Sequence, residues 1–311
     1  MEKVVVTGAN GLIGSYLTAV LSHQGKEVYA IVRSKDEPVG NIQSLENVRI
    51  LYCDLIKKPF CADWIPGRKC SVWYHLAWAG SSGKAREDYS LQLRNVKMAC
   101  EAVEVAAQLG CSKFVAVGSV TELAFLQYME QEEFCPEMTA MYPVAKTAAC
   151  HMMRCICEKY GIPFSWVYLA NLYGVGDRTQ NIISMILNAY RQGRTPELTE
   201  GNQTVDFIYV QDAAEGLAAV GELGRPWESY YLGGSNRKPL KEFVEIIRDM
   251  EAPDRECGLG RKEFHSAEID FEKIDTEKLF RHTGYRPQVS FQKGIGWMAE
   301  WLEQTDGGCY K

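Results

Sequence analysis

No uninterrupted apolar run in this chain of 311 residues approaches the ~18 that a membrane-spanning helix needs, so no helical span is expected. The opening "MEKVVVTGAN" lacks an apolar leader and a cleavage site; it enters a strand at once, and the expected location is cytoplasmic. Basic charge is not in excess either: 34 Lys and Arg stand against 40 Asp and Glu, a formal net charge of −6. Nucleic acid is therefore excluded as a partner, because phosphate backbones are held by basic patches, whereas a small phosphorylated ligand needs only local donors. The 11 cysteines include no CxxC pair of metal-site spacing; Cys155 and Cys157 form only a CxC on a helix. They read as reduced, mostly buried thiols, and no metal site is expected. Internal repeats and low-complexity tracts are also missing.

Short β-branched runs alternating with amphipathic stretches are what the chain does have. "KVVVTG", "EVYAIVRS", "VRILYCDL", "SVWYHLAW" and "KFVAVGS" are separated by helical segments, one of them from about 88 to 110. This alternation predicts parallel βαβ units with helices on both sheet faces, the α/β class with a doubly wound sheet. "FSWVYLANLYG" reads as one further strand, and "VDFIYV" as a strand returning after a turn-rich segment. Helices are expected near 182–191, 240–250 and 294–303. The expected organisation is a sheet domain of residues 1–170 plus 204–232, with a smaller interleaved C-terminal α/β lobe of 171–203 plus 233–311.

"VVVTGANGLIGSYL" sets Gly8, Gly11 and Gly14 between the first strand and the first helix. Glycines there allow a tight turn, close backbone approach to a pyrophosphate and close helix packing, while the helix N-terminus offers free N–H donors. Following a strand and opening a helix, the motif reads as the dinucleotide cradle of a Rossmann-type sheet, with Asn10, Leu12 and Ile13 completing it. At the end of the second strand, "YAIVRSK" supplies Arg33 and Ser34 where an acidic residue would hold a ribose hydroxyl. A basic residue there suits a 2′-phosphate, so NADP(H) is expected over NAD(H); Asp36 sits too late to compete.

"AMYPVAK" puts Tyr142 one helical turn before Lys146, on the same face. An ammonium beside a phenol favours the phenolate and turns a poor proton carrier into a useful one. With "TGANGLIG", "CDL", "HLAW", Asn95 in "LRNV", "FVAVGS", "YPVAK", "NLYG" and "VDFIYVQDAAEGL" in order, the chain resembles the extended short-chain dehydrogenase/reductases, specifically the NAD(P)-dependent epimerase/dehydratase family acting on nucleotide sugars.

That resemblance implies that Asp54 and Leu55 flank the adenine and that Leu76, Ala77, Trp78, Asn95, Val117 and Leu169 lie along the cofactor. It implies a catalytic set of Ser119, Tyr142 and Lys146, with the lysine on the nicotinamide ribose, the tyrosine passing a proton to or from a sugar oxygen, and the serine bonding that oxygen. It also implies a homodimer through a four-helix bundle made by the helices near 88–110 and 143–160.

Sugar 4,6-dehydratases of this fold carry an Asp-Glu pair directly after the active-site Ser/Thr. Here Val120 and Thr121 stand there, and Glu122 comes one place late, facing away if the segment is extended. Dehydration is thus disfavoured. The expected reaction is reduction of a nucleotide-linked 4-keto sugar; 4-epimerisation, a smaller-ketone reductase and an NADP-sensing regulator are the alternatives. Val205 and Tyr168 stand where relatives have arginines for the diphosphate. Ser81, Ser119, Asn171 and Arg178 are the expected substrate contacts, with Arg261 a second replacement cation. His75 reads as a satisfied structural histidine, Asp206 as a loop anchor and Asp212 as a helix cap.

Overall fold

The structure is a computed structural model that describes residues 1–131, 135, 137–179, 181–234, 236–263 and 268–305. Residues 306–311 of the expected C-terminal lobe lie outside them. Strand β1 (Lys3–Thr7) leads into α1 (Leu12–His23), β2 (Glu27–Val32), β3 (Val48–Tyr52) and β4 (Val72–His75). Helix α2 (Tyr89–Gln108) follows, then β5 (Lys113–Ser119), α3 (Val120–Met129), α4 (Met141–Tyr160) and β6 (Phe164–Leu169). The remainder runs β7 (Asn171–Tyr173), α5 (Ile182–Arg191), β8 (Thr204–Val205), β9 (Phe207–Tyr209), α6 (Val210–Leu223), β10 (Ser229–Leu232), β11 (Lys238–Pro239), α7 (Leu240–Glu251), α8 (Lys278–Thr283) and α9 (Phe291–Gln304).

Seven of these strands form one all-parallel sheet in the order β10-β6-β5-β4-β1-β2-β3. Because side chains alternate across a strand, each strand feeds two cores. Val5, Tyr29, Ile31, Phe114 and Trp166 pack under α2 and α4. Val4, Val6, Val28, Ala30 and Val115 pack on the other face with Leu17 and Leu21 of α1 and Leu217 of α6. Both faces are covered, which is why the strands read as near-continuous apolar runs and not as polar–apolar alternation.

The chain turns outward in opposite directions from β1, to β2 and β3 on one side and to β4, β5 and β6 on the other. That reversal opens a crevice at the carboxyl ends of β1 and β4, where doubly wound sheets bind ligands.

Two expected strands differ from the sequence reading. "FSWVYLANLYG" breaks at Ala170 into β6 and β7, and β7 leaves the large sheet to pair with β9, Asn171 opposite Phe207. The strand in "VDFIYV" therefore joins a small separate sheet, and β10 fills the edge of the large one through Tyr230↔Val167. Asp206 fixes this departure: its buried carboxylate accepts from the Tyr231 hydroxyl at 2.8 Å and the Gly234 N–H at 3.0 Å. A third core, with Ile186, Phe243, Val244, Ile295 and Met298, joins α5, α7 and α9 over β9. Asp212 does not cap its own helix; its carboxylate accepts from the Gln288 and Val289 N–H groups and ties the segment before α9 to α6.

Candidate active site

The crevice encloses about 480 Å³ and is lined at one end by Gly8, Asn10, Gly11, Leu12, Ile13 and Gly14. Gly8 has φ +67°, and a Cβ there would come within 3.0 Å of the Ala77 nitrogen. A Cβ on Gly14 would stand 2.1 Å from the Gly8 carbonyl oxygen, so the tight turn exists only with glycine at that position. Gly11 is the N-cap of α1 and no side chain caps the helix, which leaves the first-turn N–H groups to an anion. Thr7 joins the two halves of the crevice: its hydroxyl oxygen accepts from the Leu76 and Ala77 N–H groups at 3.1 Å each. His75 lies 3.1 Å from the same hydroxyl, and burial with the nearby Lys146 charge takes its pKa down to about 3. It is neutral but only half satisfied as expected, since its buried Nε2 has no hydrogen-bond partner among the described residues.

Farther along, Arg33, Asp54, Leu55, Leu76, Ala77, Trp78 and Ser81 line the walls. Glu37 lines them too. Its carboxylate pairs with the Arg33 guanidinium and accepts from the Asn10 amide at 2.9 Å, so the cation is already neutralised. The sequence reading passed over this residue because it lies beyond Asp36; the turn after β2 brings it back.

The tyrosine end is built by three elements. Lys146 is 6 % exposed; its Nζ donates to the Val117 carbonyl at 2.8 Å and stands 4.0 Å from the Trp78 ring centre. Burial pulls its pKa down to about 8, with Glu122 opposing. The Tyr142 ring lies 5.9 Å from that ammonium and edge-on to Trp78 at 6.2 Å. Burial pushes the phenol up to about 12, while Arg86 and the nearby Ser119 hydroxyl hold it down. Arg86, from the turn at 83–87, covers the ring with its guanidinium carbon 4.4 Å from the centre.

Ser119 ends β5 and caps α3. Its hydroxyl lies 2.9 Å from the Thr121 hydroxyl and accepts from the Thr121 N–H at 3.2 Å. The segment after Ser119 is helical, not extended, and this corrects the reading of Glu122. At the third helical position Glu122 folds back in a capping box and accepts the Ser119 N–H at 2.6 Å. It is 1 % exposed, and burial pushes it up to about 8, although Lys146, the Ser119 N–H and the Trp166 indole favour its charge. Gly118 makes room for this arrangement, since a Cβ there would meet the Trp166 indole nitrogen at 2.3 Å and Glu122 Oε1 at 2.5 Å.

Several expected contacts sit off the crevice lining, Ser119, Tyr142 and Lys146 among them, the last two packed against Trp78, which lines it. Ser34 bonds Asp36 at 3.0 Å; Asn95 is buried and grips both the Ala79 N–H and carbonyl, thereby setting the loop after β4. Val117 serves through its carbonyl, and Leu169 pairs with Ser119 and Leu232 within the sheet. The Asn171 amide donates to the Asp206 carbonyl at 3.1 Å. Arg178 is exposed between Asp177 and Thr179, which do line the crevice, and Arg261 pairs with Glu256 on the surface. Glu37, Arg86, Glu122 and Trp166 are the site residues that sequence reasoning missed. Only the Ser-x-x-Glu capping-box spacing carried a readable signal, for Glu122.

A doubly wound parallel sheet with a glycine cradle at its switch point and a tyrosine–lysine pair beside it defines a dinucleotide-binding α/β protein. The chain belongs to the NAD dependent epimerase/dehydratase family, whose model matches residues 4–233, and is of the extended short-chain dehydrogenase/reductase type. It is 29% identical over 198 residues to dTDP-glucose 4,6-dehydratase of Shigella flexneri, covering 59% of this chain and 54% of that one. Dehydratase 1 of Escherichia coli K12 gives the same identity over 198 residues. The chain thus spans about half the length of the curated relatives it matches.

Among solved structures, UDP-glucuronic acid 4-epimerase from Bacillus cereus in complex with NAD superposes with TM-score 0.79 at 21% identity, over 99% of both chains. The Bordetella bronchiseptica enzyme WbmF in complex with NAD+ gives TM-score 0.78 at 18%, over 98% and 93%. The expectation of NADP(H) is corrected by these findings: the family is NAD dependent, and both of those structures hold NAD. The physical reason lies in Glu37, whose carboxylate occupies Arg33 and would repel a 2′-phosphate while accepting from a hydroxyl. No helix among the described residues is long and apolar enough to cross a membrane.

Proposed function

We propose that this protein binds NAD and oxidises, then re-reduces, carbon 4 of a nucleotide-linked sugar, inverting that carbon. What supports the reading is that the Lys146 ammonium stands 5.9 Å from the Tyr142 ring centre and 4.0 Å from that of Trp78, which lines the glycine-cradled crevice, with Ser119 at the end of β5. NAD, when bound, supplies the hydride acceptor and donor. Gly8, Asn10, Gly11, Leu12, Ile13 and Gly14 hold its pyrophosphate, Glu37 a ribose hydroxyl, and Asp54 and Leu55 the adenine.

Tyr142, acting as the phenolate that the neighbouring cations favour, takes the proton from the C4 hydroxyl as the carbon is oxidised and returns it on reduction, Ser119 holds that oxygen, and Lys146 supplies positive charge. Ser81, which lines the crevice, contacts the substrate, with Asn171 and Arg178 beside the lining as further contacts, and residues 171–203 with 233–311 make up the substrate-binding lobe. A homodimer through α2 and α4 accounts for the exposed Tyr89, Leu93, Val144 and Met152 on those helices.

Reduction of a nucleotide-linked 4-keto sugar is the reaction that an NADP-type pocket favours, and Glu37 removes that support. Elimination needs its own acid and base; Val120 and Thr121 cannot titrate as carboxylates, and the Glu122 carboxyl is committed to the Ser119 N–H. The test is to incubate the NAD-loaded protein with UDP-glucuronic acid, UDP-glucose and dTDP-glucose and follow the sugar by NMR. Inversion at C4 of one of them without net consumption of NAD supports the reading. Loss of water, or turnover only with added NADH and a keto sugar, contradicts it.

A further inference from the structure

We infer that Arg86 is a second activating cation for Tyr142, acting through the face of the phenol ring, so that the proton carrier does not depend on Lys146 alone. This rests on the proposed role of Tyr142. The guanidinium carbon lies 4.4 Å from the ring centre, nearer than the Lys146 ammonium at 5.9 Å. Arg86 Nε is shut off from solvent with no hydrogen-bond partner, and its terminal nitrogen reaches only the Thr121 hydroxyl, at 3.5 Å.

Among the described residues no carboxylate pairs with this guanidinium. A partly buried cation left without an anion is costly, and the π face of Tyr142 is what offsets the cost. The ring face becomes more negative when the phenol loses its proton, so the same contact favours the phenolate.

Every element packed on Tyr142 contributes to this balance. Lys146 lies on the same helix, Ser119 at the end of β5 holds the phenol down, and Trp78 meets the ring edge-on. Glu122, from α3, works the other way and raises the phenol. The two cations are not equivalent. Lys146 spends its ammonium on the Val117 carbonyl and the Trp78 face, and loses its proton near pH 8. A guanidinium keeps its charge throughout that range. Arg86 is thus a positioning residue whose charge persists where that of Lys146 fades.

The test uses the NAD-loaded protein with Arg86→Met and Arg86→Lys. Tyr142 ionisation is read by ultraviolet difference titration against Tyr142→Phe, and kcat and KM are measured across pH. Arg86→Met is expected to raise the phenol pKa by about one unit and lower kcat near neutrality about tenfold. KM and NAD affinity should stay within about twofold, and Arg86→Lys should recover most of the loss. An unmoved phenol titration in Arg86→Met, or a loss confined to KM with an unchanged pH profile, overturns the inference. If Tyr142→Phe itself retains turnover, the proposed function fails instead, and the titration still decides whether Arg86 acts on the phenol.

Discussion

The glycine end of the crevice is made of backbone and stands partly open, with Gly11 and Arg33 exposed, whereas the tyrosine end is made of side chains shut away from water. There Tyr142, Lys146 and Glu122 are 7 %, 6 % and 1 % exposed. The first end works by shape: Gly8 and Gly14 remove atoms so that a ligand can approach. The second works by charge: a phenol, an ammonium and a carboxyl are buried together beneath a guanidinium; Arg86 lowers the phenol, Glu122 raises both phenol and lysine, and Lys146 lowers Glu122. Substitutions should therefore separate cleanly, with the glycine end governing cofactor affinity and the tyrosine end governing turnover and its pH dependence.

The sharpest contrast is between Tyr142→Phe and Gly14→Val. Removing the phenol should lower kcat by ~10²–10⁴-fold while NAD affinity, measured by calorimetry, stays nearly constant. Gly14→Val drives a side chain into the Gly8 carbonyl and should weaken NAD by about 100-fold or more, with the secondary structure retained by circular dichroism. Equal loss of both properties in both variants would erase the distinction between the two ends.

How far the sequence reveals each end follows from the same contrast. A glycine cradle is local, spanning residues 8–14, and its spacing alone states its purpose. The Tyr142–Lys146 pair is also local, one turn of helix. What the sequence hides is the company these residues keep. Glu37 returns to the crevice by a turn, Arg86 arrives from a loop 56 positions before Tyr142, and Glu122 faces away on an extended segment but folds back in the helix that in fact starts at Val120. The sheet was legible from its apolar runs, but the escape of β7 was not, because "FSWVYLANLYG" has neither Gly nor Pro at the Ala170 break and only Asn171 beside it.

Two smaller effects sharpen the comparison. Glu37→Gln frees the Arg33 cation, so the preference for NAD over NADP should fall about tenfold, the worth of roughly one partly screened charge. An unchanged preference in competition binding would mean that Glu37 does not face the ribose.

At the tyrosine end, Lys146 is charged below about pH 8 and neutral above it, its pKa having been lowered from 10.5. Activity should therefore decline as pH rises through about 8 and level off short of zero where Arg86 alone remains. Because the Glu122 carboxylate raises the lysine, Glu122→Gln should move this alkaline limb down by ~0.5 unit, a change of about twofold near pH 8. A limb displaced upward would reverse the assigned sign.

The most direct measurement is a single turnover of the NAD-loaded protein with UDP-glucuronic acid carrying deuterium at carbon 4, watched by NADH fluorescence. The account predicts transient NADH, formed several-fold more slowly than with protium and abolished in Tyr142→Phe. Inverted sugar appearing at a rate indifferent to the deuterium, with no NADH signal, would contradict it.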